Sequence, residues 1–376
     1  MKHKTASKKI MALILAAGMV LSLGACGNSG EDNSGDANRI SADQVREDNQ
    51  ASEAEETAEE EAAGEAAEDV ENEKRTEYPL TITTAGPDGT EFTTVYEKAP
   101  EKVVAVYQGS IETLLALGLE DRIVAAAGLD NEVPEEQKAA FSELNYLDEF
   151  TPSKETVTML EPDMIFSWVS LFRDDTLGSP QDWIDKGTNV YVNTNTATED
   201  SLENEYNDIL NIGKIFDVQD QAEAIVNEMK NTIETVKEKA AAEEESPSVM
   251  VIEFQGDTIA NYGADSVAGD MVTQLGGTLA NPDASSVGKE DIINADPDVL
   301  FVVYMPYTGD DPQEVMEENL NYVLEDESLA SLSAIQNDRV VPIMLSEMYA
   351  SATRTQDGIE TIAQGLYPDL SLSQEE

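Results

Sequence analysis

The phrase KETVTMLEPDMIF at 154–166 returns as KEDIINADPDVLF at 289–301. Each copy opens on Lys-Glu, runs through a short helical stretch, meets an acidic-Pro-Asp step and enters an apolar run at the same offset. Pro162 and Pro297 keep each helix from running on into the strand, and Glu155 and Glu290 in the first turns complement the helix dipole. A helix-to-strand step written twice implies two lobes that are topological relatives, each holding one copy. The surrounding chain agrees. Buried-looking strands read at KVVAVY (102–107), RIVAAA (122–127), DMIFSW (163–168), NVYVN (189–193), SVMVIEF (248–254), DVLFVVY (298–304) and RVVPIM (339–344). Near-continuous apolar strands separated by helical or loop segments predict an α/β fold with largely parallel sheets. Ahead of them, TITTAGPDGTEFTTVYE (81–97) predicts a hairpin with its turn at 86–89.

The N-terminus belongs to none of this. A basic MKHKTASKKI is followed by the apolar MALILAAGMVLSLG and then by Leu23, Gly24, Ala25 and Cys26. The apolar run is too short for a comfortable membrane span and reads as a secretory signal over 1–25. The last four residues resemble a bacterial lipobox, in which the chain is cut before the cysteine and the cysteine carries lipid. Cys26 is the only cysteine and has no disulfide partner within the chain. From 26 to 78 the chain is acidic and low in apolar residues, so a disordered, self-repelling tether is expected. Removing the signal leaves a net charge of −59. That charge argues against nucleic acid and against electrostatic adhesion to anionic lipid, so the lipid itself must hold the protein at the membrane.

Roughly 300 residues follow the tether, about right for two domains: one α/β lobe over 79–200, a connecting helical segment over 201–245 and a second α/β lobe over 246–376. In the second half of the connection, Ala222, Ile225, Val226, Met229, Ile233 and Val236 share one face at three- and four-residue spacing. A helix of some twenty-four residues spans about 36 Å, long enough to cross from one lobe to the other. Chemistry is restricted by an absence. His3 is the only histidine and lies in the signal. A His-based zinc or manganese site, a Ser-His-Asp mechanism and a His base are therefore not expected in the mature chain. No glycine-rich phosphate loop is convincing either, since GADSVAGD (263–270) lacks the Lys-Ser/Thr of a P-loop.

Taken in order, PEKVVAVYQGSIETLLALGLEDRIVAAAG (100–128), the first helix-to-strand step, the long helix, GDMVTQLGG (269–277), the second step and LASLSAIQNDRVVPI (329–343) resemble the substrate-binding proteins of ABC importers for iron-siderophores, heme and cobalamin. The resemblance covers about 85 to 367. It implies two Rossmann-like lobes joined by a single long α-helix, with ligand gripped in the cleft between them and no enzymatic activity. By family position it also implies permease docking at Glu112, within SIETLLALG, and at Glu290. Candidate ligand contacts in the first lobe are Tyr107, Gln108, Trp168, Phe172 and Arg173. In the second lobe they are Tyr262, Tyr304, Tyr307, Glu347, Tyr349 and Arg354. Aromatic rings offer broad contact and cation–π capacity, and the two arginines could pair with an anionic chelate. Phe172 and Trp168 also read as lobe packing, and Arg354, in a helix expected over 352–366, as a surface ion-pair partner.

No resident cofactor or metal is expected. The cargo that the resemblance implies is a ferric siderophore or similar organic metal complex, with heme, cobalamin and bare ferric ion as alternatives. The partners it implies are an ABC permease and its ATPase, and a monomer is expected. The competing readings from other classes are a surface-tethered hydrolase using paired carboxylates and a two-lobed interaction module.

Overall fold

The computed structural model describes residues 75–241 and 246–369. The signal, the Cys26 anchor and the tether up to residue 74 lie outside the described residues. The expected hairpin is present: β1 (Leu80–Ala85) and β2 (Glu91–Tyr96) pair antiparallel, Leu80 opposite Tyr96 and Ala85 opposite Glu91, around a 3-10 turn at Pro87–Gly89. Gly89 closes that turn at φ +70°, which a side chain would disfavour.

The first lobe contains β3 (Val103–Val106), α1 (Gln108–Ala116), β4 (Ile123–Ala127), α2 (Lys138–Phe141), α3 (Lys154–Leu160), β5 (Met164–Ser167), α4 (Pro180–Ile184) and β6 (Asn189–Val192). Its sheet is wholly parallel in the order β4-β3-β5-β6. Alternate residues feed two cores, as the two-residue period of a strand requires. Val103, Ala105, Met164, Phe166 and Tyr191 enter one, and Val104, Val106, Ile165, Val190 and Val192 the other.

Helices α5 (Leu202–Phe216) and α6 (Gln219–Ala240) make the connection, joined through Asp217 in the left-handed conformation. The second lobe then runs through β7 (Ser248–Gln255), β8 (Thr258–Asn261), α7 (Val267–Gln274), β9 (Thr278–Leu279), β10 (Ser286–Val287), α8 (Lys289–Ala295), β11 (Val299–Tyr304), α9 (Pro312–Leu324), α10 (Ser333–Gln336), β12 (Val340–Met344) and α11 (Thr355–Leu366). Its sheet has the order β10-β8-β7-β11-β12, with β9 also on β7. Pro342 sits in the terminal strand of this order, where a missing N–H is best tolerated. All seven strands read from the sequence are present; the short β8, β9 and β10 carry too few apolar residues to have stood out.

The repeated phrase has a structural explanation. α3 ends at Glu161 (φ +49°) and α8 at Asp296 (φ +42°), each just before its proline. The aspartate that follows then fastens the incoming strand to its neighbour. Asp163 accepts the backbone N–H of Glu101 (2.9 Å) and Lys102 (2.8 Å) at the start of β3. Asp298 accepts the N–H of Ser248 (2.8 Å) at the start of β7. The Pro-Asp step is thus a helix stop and a strand clamp in one.

α6 buries Ala222, Val226, Met229, Ile233 and Val236, the face expected from its spacing. These side chains belong to one contiguous apolar cluster that also takes Val103 and Phe166 from the first lobe and Val251 and Phe301 from the second. No helix among the described residues is long and apolar enough to cross a membrane.

Candidate functional site

The strand ends of the two lobes meet at a seam, and a buried polar knot holds it. α1 begins directly after β3 through Tyr107, whose φ of +72° is costly for a non-glycine residue. Its second residue is Gly109, where a Cβ would stand 2.7 Å from the Ala350 carbonyl oxygen of the second lobe. Glycine there lets the helix start abut the 350–352 loop, in which Ala350 and Ala352 also have positive φ.

One turn further on, Glu112 is 0% exposed and Arg354 only 8%. The Glu112 carboxylate accepts Arg354 Nε at 2.7 Å and Nη2 at 2.6 Å, and Gln108 Nε2 at 2.5 Å. Arg354 Nη2 also donates to the Glu132 carbonyl (2.6 Å). Gln108 Oε1 accepts the N–H groups of Asp130 (3.1 Å) and Asn131 (3.3 Å), and Asn131 Nδ2 reaches Ser346 Oγ at 3.1 Å. The ion pair joins residues 242 apart in the chain.

Two expectations are corrected here. Glu112 does not offer its carboxylate to a permease, because it is sealed inside the seam and bound bidentately. Arg354 is not a surface ion-pair partner: it is buried, with Nε and Nη2 on Glu112 and the Glu132 carbonyl and Nη1 against Ser346 Oγ at 3.5 Å, so its charge is already matched by Glu112.

A second knot was not read from the sequence. Glu205, on α5, is buried; it accepts Asn195 Nδ2 (2.6 Å) and, from the second lobe, the Ala352 N–H (2.7 Å). Burial pushes its carboxyl up to about 7 against the opposing pull of these donors. Asp208, one turn on, accepts Tyr191 Oη (2.9 Å), the Thr194 N–H (2.7 Å) and Thr194 Oγ1 (2.6 Å); burial pushes it up to about 6. A signal was available: both acids lie on the stripe of Leu202, Tyr206, Ile209 and Ile212, which the helix buries.

Over the knot runs a row of rings. Tyr107 lies 5.1 Å from Trp168 and 6.0 Å from Phe150, and Trp168 meets Tyr349 of the second lobe edge-on at 6.0 Å. Phe150 and Tyr349 are 50% and 40% exposed, so the row reaches solvent. Of the expected residues, Tyr107, Trp168 and Tyr349 therefore come together, and Phe150 joins them from a polar loop. Tyr262 donates to Glu253 at 2.7 Å; burial, Glu253 and Tyr349 hold its hydroxyl well above the ordinary range. Tyr304 ends β11 beside Glu347, and Tyr307 is exposed near Asp130, Glu253 and Asp310. Phe172 is a correction: at 2% exposed it packs the first lobe's core. Arg173 stands exposed beyond it, with no contact joining its side chain to the row among the described residues.

Two α/β lobes, one with a wholly parallel sheet and one with a mixed sheet, that share a helical connection and meet on an aromatic seam define a two-lobed binding protein. The periplasmic binding protein family matches residues 103–344, and the chain belongs to that family, whose members are transport components and not enzymes. The chain is 30% identical to a periplasmic binding protein from Veillonella parvula whose structure it matches with a TM-score of 0.72, covering 78% of this chain and 93% of that one. It is 27% identical over 277 residues to the petrobactin-binding protein YclQ of Bacillus subtilis, across 71% of this chain and 80% of YclQ. Over 298 residues it is 22% identical to the ABC transporter substrate-binding lipoprotein YvrC of the same organism, across 78% and 87% of the two chains.

Removing one partner of a buried ion pair strands the other. Arg354→Met should cost about 3–5 kcal/mol, and adding Glu112→Leu should recover most of it, read as urea midpoints. The buried carboxyls set a pH dependence. Glu205, raised to about 7 when folded, keeps its proton where the unfolded residue, near about 4.3, has lost it, so stability falls as pH rises between these values. The melting temperature should be higher at about pH 5 than at about pH 8, and Glu205→Gln should flatten the difference.

Proposed function

We propose that this chain is the extracytoplasmic substrate-binding component of an ABC importer, held at the membrane by lipid on Cys26, and that its cargo is a chelated metal, a ferric siderophore before heme or a corrinoid. The observation that carries the reading is the row Phe150–Tyr107–Trp168–Tyr349, which bridges the two lobes and reaches solvent at both ends. Facing strand ends of two lobes bury a compact ligand well, and aromatic surface suits a bulky organic chelate. The petrobactin-binding name of YclQ supports the cargo class, and the lipoprotein name of YvrC supports the anchor. Among the described residues no group of three or more His, Cys, Asp or Glu side chains is placed to hold a metal ion, which favours a cargo that brings its own chelator.

With Glu112 enclosed, Glu155 takes its place as the docking mate of Glu290. Both are exposed, and both are the second residue of the helix in the repeated step, one in each lobe. Carboxylates on two separated knobs would orient the protein over arginines of its permease.

The cargo is tested by thermal shift and Trp fluorescence of the purified full-length protein against ferric hydroxamates, ferric catecholates, heme, cobalamins and free metal salts. A bound chelate at a hundred times its dissociation constant should stabilise the fold by about 2.7 kcal/mol, and a cooperative protein that responds to none of the panel would overturn the reading. For docking, Glu155→Ala with Glu290→Ala should lower uptake by cells while leaving chelate affinity unchanged; a matching loss of affinity would refute the assignment.

A further inference from the structure

The seam carries a charge pattern that the cargo has to match. Asp130 is half-buried below Tyr307, and no hydrogen bond or ion pair reaches its carboxylate among the described residues. Burial alone pushes it up to about 6. Asp200 of the first lobe lies near Tyr349 and Asp265 of the second; its carboxylate likewise has no donor among the described residues, and it is pushed up to about 7 by burial and by Asp265. Glu253, held by Tyr262, and Glu347, beside Tyr304, add two more acids to the second lobe's side. Beneath them the Asn131 side-chain oxygen is a buried acceptor without a partner, in a residue 5% exposed.

The basic residues do not answer this pattern. Arg354 is spent on Glu112. Lys138 pairs with Glu132 and Glu135, Lys102 with Glu161, and Lys289 with Asp326. Lys154 and Lys186 lie over Trp183, Lys230 over Tyr206, and Arg339 caps the carbonyls of Gly365 and Leu366. Arg173 is exposed, and among the described residues no contact joins its side chain to the rings. The Trp168 indole N–H is an unmet donor, but it is uncharged and serves a chelate oxygen whatever the ligand's net charge.

Resting on the reading that the seam is the cargo site, we propose that it selects a chelate carrying net positive charge, gripped by the accessible rings of Phe150, Trp168 and Tyr349 and neutralised by Asp130 and Asp200, and that it rejects polyanionic ferric catecholates. Cation–π attraction and unpaired carboxylates in a partly desolvated seam act in the same direction, and both oppose an anion.

The test holds the metal constant and varies charge, first on one chelate and then across chelate class. The purified full-length protein is titrated by Trp fluorescence with a ferric trihydroxamate bearing a free ammonium group, with the same chelate after its amine is succinylated, and with a ferric tris-catecholate. The ammonium form should bind at least about tenfold more tightly than the succinylated form, and added salt should weaken it. Asp130→Asn with Asp200→Asn should bring the two within about threefold, while Arg173→Ala leaves their ratio unchanged. Equal or tighter binding of the anionic forms would overturn the charge selection while the cargo reading stands. A folded protein that binds none of the three would overturn the charge selection together with the preference for a ferric siderophore.

Discussion

The structure depends on one apolar cluster that does not stop at the lobe boundary. α6 presents Val226, Met229, Ile233 and Val236 to a core continuous from Val103 and Phe166 to Val251 and Phe301. Two lobes joined by strands or loops could hinge about their linkers. Here separation would expose part of a shared interior, at a cost of about 25 cal/mol for each Å² of apolar surface uncovered. The polar knots at Glu112–Arg354 and Glu205–Ala352 sit on that same boundary, and each would lose its partner if the lobes parted. Closure is therefore built into the packing, and any motion that admits cargo must be modest.

The electrostatics divide into two layers with different work. In the deep layer, carboxylates are matched: Glu112 has an arginine, Asp208 has three donors, and Glu205 has two. In the upper layer, at the rings, Asp130 and Asp200 have none among the described residues. Both are only partly buried, so water can meet what the protein's own donors do not, and the matched layer beneath is the one that holds the lobes together.

Much of the fold could be read from the chain. The strands of both lobes are apolar on both faces and bounded by turn residues, and the doubled Pro-Asp step marks the same junction in each. The face of α6 followed from its spacing. The site was less legible, for a specific reason. Within QGSIETLLA, Glu112 is an acid in a helix that buries polar Gln108, Ser110 and Thr113 along with its apolar residues; its partner lies 242 residues away, and no local pattern names it. The family position implied a docking acid at the surface, while the partner's location made it an internal one. Phe150 was missed because a single aromatic among acidic loop residues carries no period. Trp168 and Tyr349 were found because they follow strands, where chain direction alone brings the residues of a lobe to one edge.

The shared core of α6 has a consequence for size. The spacing of the lobes is set by the volumes of the side chains that fill the shared core along that helix. Trp168 of one lobe already meets Tyr349 of the other across the seam, so the same frame that spaces the lobes also holds the ring row closed. A change of side-chain volume at positions such as Met229 and Ile233 would therefore be felt at the rings, through the spacing of the lobes and not through any contact of its own with them.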